Sequence, residues 1–209
     1  FLWSILRTIW HTPAAIGERM LKRRQKRGLE ALSSGMIAIG AGDKSLATRY
    51  ALQARKSLPH EPLTHLLRAQ AAQLSGDRAT ARRIFESMLS SPDTEQLGLR
   101  GLFLEAEREG EREAARQFAE RALASNPKLG WSSDALFDIQ CKQKDYAGAL
   151  DTLAQAKRSG LVEKTAADRK RAVLLAGLAQ DAEENETEKA LGLALEAHAL
   201  APDLVPAAA

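Results

Sequence analysis

The sequence predicts an all-α chain: a right-handed helical solenoid of antiparallel helix pairs, preceded by a basic N-terminal helix. Three observations carry this reading. Ala47, Ala81, Ala115 and Ala149 stand at one phase of a 34-residue spacing, and Ala54, Met88, Ala122 and Ala156 stand at another. The pairs Gly42-Asp43, Gly76-Asp77, Gly110-Glu111 and Lys144-Asp145 keep the same interval, so a turn recurs at a fixed place in each unit. No run of alternating Val, Ile, Thr or Tyr bounded by turn residues reads as a strand. Only 5% of the residues are aromatic, a composition suited to close-packed short helices.

A helix-turn-helix period of 34 residues is the signature of tetratricopeptide repeats. The stretch Arg68 to Pro92 shows the unit most clearly, with a small-residue helix, the Gly76-Asp77 turn, an amphipathic helix and a proline. The alanines have a steric reason: two antiparallel helices approach closely only where small side chains face each other, and larger residues fill the space between successive pairs.

Residues 1–27 form a basic segment apart from the array of 28–209. They carry seven Lys and Arg against one acid, Glu18, whereas the remainder has a net charge of −3. FLWSILRTIW is apolar but interrupted at Arg7, and a spanning helix needs ~20 mostly apolar residues. The segment is therefore read either as the end of a membrane helix, with Trp3 and Trp10 at the interface, or as an amphipathic helix packed on the repeats. Thr12-Pro13 signals a helix start, and Gly28 allows a break. Lys22, Arg23, Arg24, Lys26 and Arg27 form a cluster attracted to anionic lipid, with a solvated helix face as the plain alternative. A nucleic-acid arm is disfavoured because no aromatic residue interleaves the cluster to stack on bases.

The repeats follow at about 28–61, 62–95, 96–129 and 130–163. The fifth is stretched: Ala149 to Ala190 exceeds the period by seven residues, which fall in the acidic segment 181–188 as a loop or helix extension. In the third repeat Leu99, Leu102, Phe103 and Ala106 share one helical face. The fourth opens on Trp131.

Motifs of chemistry are absent from this reading. Gly40 to Ser45 imitates a phosphate loop, but Asp43 separates the glycine from Lys44 and a helix precedes it. His60 and His65 are five apart with Pro62 between, unlike two ligands on one helix face, and are read with His11 and His198 as loop and surface residues. Cys141 is alone and can form no internal disulfide. The expectation is a protein that is not an enzyme and binds no metal or cofactor. The expected functional surface is the side lined by successive first helices: Leu63, Leu66, Gln70 and Gln73, then Leu97, Arg100, Leu104, Glu107 and Arg108, then Trp131, Asp134 and Asp138. Arg100 and Trp131 are the anchor candidates for a helical or extended peptide.

The order LKRRQKRGLEALSSGMIAIGAGD, PLTHLLRAQAAQLSGD and LGLRGLFLEAEREGEREAARQFAERAL, followed by a tryptophan, resembles the HemY-type tetratricopeptide proteins of Gram-negative bacteria. The resemblance implies an inner-membrane protein with two N-terminal membrane helices and a cytoplasmic repeat domain. It also implies a link to a late step of protoheme synthesis, with other proteins, including heme-pathway enzymes, as partners. It supplies no catalytic residues. Direct porphyrin or heme handling by the groove or the N-terminal histidine is the alternative.

Overall fold

The computed structural model describes the backbone of residues 2–182 and 186–203, and side chains from residue 17 onward. Every described element is a helix. They are α1 (Leu2–Gly40), α2 (Lys44–Ser57), α3 (Pro62–Ser75), α4 (Arg78–Met88), α5 (Pro92–Glu109), α6 (Arg112–Ser125), α7 (Gly130–Lys142), α8 (Tyr146–Arg158), α9 (Lys164–Ala182) and α10 (Thr187–Leu200). The last third of α1 pairs with α2, and the rest pair in order, giving five antiparallel helix hairpins of the tetratricopeptide type. The chain divides into two compact units, Phe1–Gly101 and Leu102–Ala209.

The periodic alanines are the closest contacts. Ala47, Ala54, Ala81, Ala115, Ala122 and Ala149 are each fully inaccessible to solvent. In the first unit, Ala31, Leu32 and Ala38 of α1 meet Ala47, Ala51 and Ala54 of α2 and Leu67 and Ala71 of α3. In the second, Phe103, Ala106, Ala115, Ala119, Leu123, Leu136 and Ile139 form one cluster. Ala149, Leu153, Ala167 and Leu174 form another.

The recurring turn has one hydrogen-bond pattern. The residue at Gly42, Gly76, Gly110 or Lys144 takes a positive φ, and the next amide reaches back to close the helix. Asp43 donates to Ala38 O, Asp77 to Ala72 O, Glu111 to Ala106 O and Asp145 to Gln140 O, all at 2.9 Å. This is the Schellman ending. The aspartate then caps the following helix: Asp43 Oδ1 accepts from Leu46 N at 2.9 Å, Asp77 from Thr80 N at 3.0 Å, and Asp145 from Gly148 N at 3.0 Å. Glu111, one methylene longer, makes no such cap bond. Gly40 to Ser45 is this turn, which disposes of the phosphate-loop likeness.

Three expectations are corrected. Thr12-Pro13 starts no helix, because α1 begins at Leu2 and runs through it. Gly28 breaks nothing: a Cβ there would overlap the side chain of Leu58, so this glycine lets α1 approach the end of α2. Small residues also serve contacts between successive hairpins. A Cβ on Gly98 of α5 would sit 2.7 Å from Phe85 O of α4, and one on Gly101 would strike the Phe85 ring. In the fifth hairpin much of the surplus length is helical, since α9 has 19 residues where α7 has 13. Of the acidic segment, residues 183–185 lie outside the described residues.

Candidate functional site

A first helix shows its neighbours two faces and leaves a third uncovered, and the repeat period fixes which side chains occupy it. In the first unit, Leu63 of α3 is 53% exposed, while Leu66, Gln70 and Gln73 are half-buried. Gln70 Oε1 is buried without a hydrogen-bond partner. Arg100, near the end of this unit on α5, is exposed, and Leu97 is half-buried.

Two residues that sequence reasoning missed complete this face. Leu29 and Met36 of α1 stand 34 residues before Leu63 and Gln70 and are 60% and 44% exposed. Carrying the period back into the helix that also holds the basic segment would have found them.

In the second unit, Leu104 of α5 is 41% exposed, and Glu107, Arg108, Asp134 and Asp138 are exposed. Arg108 Nη1 donates to Glu105 Oε1 at 3.1 Å, and that glutamate is almost fully buried. The ion pair fixes the Arg108 guanidinium at the rim of the face. Trp131 is half-buried, its ring 5.5 Å from Phe103 at an interplanar angle of 47°. Part of its surface therefore belongs to the α5–α7 packing rather than to an open groove. A cleft of about 490 Å³ in this unit is lined by Ala106, Glu107, Gly110, Arg112, Ile139, Lys142 and Gln143. Across the next turn Arg116 donates to Gln143 Oε1 at 2.9 Å and to Asp145 Oδ2 at 3.3 Å. Arg100 and Trp131 thus fall in different units, and each is placed only within its own.

The histidines separate. His60 is exposed in the α2–α3 turn, but His65 is half-buried on α3, so it is not a loop residue. Burial, with help from Arg68 and then His60, lowers the His65 pKa below its ordinary value. Burial, then the Asp138 carboxylate, pushes the Cys141 thiol up, which disfavours the nucleophilic thiolate. Among the described residues, no group of three or more His, Cys, Asp or Glu is placed to hold a metal.

In the basic segment, Lys22, Arg23, Lys26 and Arg27 are exposed. Arg24 is anchored: its Nη2 donates to Lys56 O, at the end of α2, at 2.6 Å. Trp3, Trp10 and His11 lie on the backbone of α1, but their side chains are outside the described residues. No described helix is long and apolar enough to cross a membrane.

Residues 1–76 match the family described as the HemY protein N-terminus. Over that stretch the chain is HemY-like, and its fold is that of tetratricopeptide-repeat proteins. Solved structures share its fold at low identity. YrrB, described as a TPR protein with an unusual peptide-binding site, is 14% identical with a TM-score of 0.54, over 91% of this chain and 95% of its own. MamA is 17% identical with a TM-score of 0.56, over 87% of this chain and 99% of its own. No curated protein matches the chain.

Proposed function

We propose that this protein is a HemY-type, membrane-held scaffold whose first-helix faces bind other proteins, and that those partners act in a late step of protoheme or porphyrin synthesis. The observation that carries the binding part is the recurrence on first helices, at 34-residue offsets such as 29 and 63 or 104 and 138, of side chains left uncovered by packing. In the first unit Leu29, Met36 and Leu63 supply apolar surface; in the second Leu104 supplies it, and Glu107, Arg108, Asp134 and Asp138 supply charge. Large apolar side chains cost free energy in water, and a partner helix or strand recovers it. YrrB, of the same fold, has a peptide-binding site, which supports this use of the face. The match of residues 1–76 to the HemY N-terminus supports the membrane location, and the exposed cations after residue 18 suit the anionic cytoplasmic leaflet. The pathway rests on the HemY resemblance.

The test is copurification of the protein from a detergent extract of membranes, with partners read by mass spectrometry. Arg100→Glu combined with Trp131→Ala is expected to lose them, with Trp131→Phe as the control that keeps the contact with Phe103. A partner set unchanged by the double variant refutes the assignment of these faces. Heme titrated into the pure chain separates the competing reading: a saturable Soret shift would favour direct porphyrin handling.

A further inference from the structure

One stripe of α1 changes character along its length. Gly17, Met20, Arg24, Arg27 or Gly28, and Ala31 recur at three- and four-residue steps, so they share a face. At its lower end that face is packed, with Ala31 1% exposed and Gly28 against Leu58. Helix α2 ends at Ser57, and above that level, among the described residues, nothing lies within 4 Å of a Cβ placed on Gly17. A hollow of about 560 Å³ opens there, lined by Gly17, Met20, Leu21, Arg23, Arg24, Arg27 and Ser57. Met20 and Leu21 are 68% and 58% exposed. Arg24 forms the wall, held by its bond to Lys56 O. Beyond that wall a second hollow begins, lined by His60 and Glu61 among others, so Glu61 lines the neighbouring hollow and not this one.

We infer that this hollow seats the headgroup of an anionic phospholipid, with the phosphate between Arg23 and Arg27 and the acyl end over Met20 and Leu21. Arg23 and Arg27 are one turn apart, so their guanidinium groups can grip one phosphate from two sides. Met20 lies about 10 Å along the helix from Arg27, the scale on which a lipid passes from phosphate to chain. Charge complementarity selects the ligand: the wall and both grips are cationic, and no acid occurs between Glu18 and Glu30. The apolar stretch LWSIL lies at the start of the same helix, so the apolar end of the seat points to the apolar end of the segment. The bound headgroup would fix the first hairpin directly, because the wall residue is bonded to α2.

This inference deepens the membrane-contact part of the proposed function. Its failure leaves the copurification test untouched, since that test is read in detergent on Arg100 and Trp131. The experiment is cosedimentation of the full chain with vesicles of phosphatidylcholine alone or with added phosphatidylglycerol. The expected result is tighter binding to the anionic vesicles, weakened about 30-fold or more by Arg23→Glu with Arg27→Glu. The charge-matched control Lys44→Glu with Arg78→Glu, both exposed, should change binding by less than about threefold, because screening confines its effect. Met20→Ser with Leu21→Ser should weaken binding at unchanged charge. Equal loss in the two charge-reversal variants would mean a diffuse field and overturn the seat, as would no loss in either. Competition by inorganic phosphate at constant ionic strength would overturn the lipid assignment in favour of a free phosphate ligand.

Discussion

Lys144 occupies a backbone position that the other turns of the series give to glycine, and replacing it measures what that costs. Its φ is 58°, the one positive value on a non-glycine residue among those described. An L side chain in this left-handed region costs about 1–2 kcal/mol, and glycine gives back about 0.5–1 kcal/mol through the greater freedom of the unfolded chain. Lys144→Gly should therefore stabilise the protein by about 0.5–1 kcal/mol. The turn bonds, Lys144 N to Cys141 O at 3.1 Å and Asp145 N to Gln140 O at 2.9 Å, are made by the backbone and survive, and the side chain is exposed. Urea unfolding followed by circular dichroism reads the change. With a slope of about 2 kcal/mol/M, the midpoint rises by about 0.3–0.5 M. Gly76→Lys, the mirror experiment at φ 85°, should lower it by a similar amount. A midpoint that falls in the first variant, or holds in the second, would refute the argument from φ.

Gly98→Ala places a Cβ 2.7 Å from a backbone oxygen of α4, so α5 must shift, at a cost of about 1–3 kcal/mol by the same unfolding assay. Thr152→Val removes the 2.8 Å bond from Thr152 Oγ1 to Gln140 Oε1, leaving a buried acceptor. The loss should be about 1–3 kcal/mol, largely recovered when Gln140→Leu is added. His65 has a lowered folded pKa, so the folded state prefers it neutral. Its contribution is full above the ordinary value of 6.5 and is lost as the pH falls below that toward the folded pKa. His65→Gln should therefore flatten the decline in stability as the pH falls below the ordinary value of 6.5, as read from urea midpoints on either side of it.

Much of the fold was legible because a repeat states its own period. The alanine phases marked the tightest contacts, the Gly-Asp pairs marked the turns, and α2 and α3 begin where Asp43 and Pro62 said they would. What escaped depended on contacts between distant residues. Gly28 reads the same whether it breaks a helix or admits Leu58, and only the packed chain distinguishes them. Trp131 stands 28 residues from Phe103, an offset unrelated to the period, so its role in packing left no trace in the spacing. Leu29 and Met36 were hidden because the helix that bears them also carries the cations. Arg24 resembled its four basic neighbours, yet its guanidinium is bonded to the body of the first hairpin at Lys56 O.

The unbroken course of α1 sets an angular relation between its two ends. Each residue turns the helix by about 100°, so whatever lies before residue 18 holds a fixed azimuth about the axis relative to Ala31 and the first hairpin. Inserting two residues ahead of Gly17 would swing the leading segment by about 200° and present the opposite side of the hairpin to whatever surface that segment meets. Inserting seven would restore the azimuth to within about 20° while adding about 10 Å of reach. Orientation and distance can thus be varied one at a time in this protein, as with a shaft that is lengthened without being re-keyed.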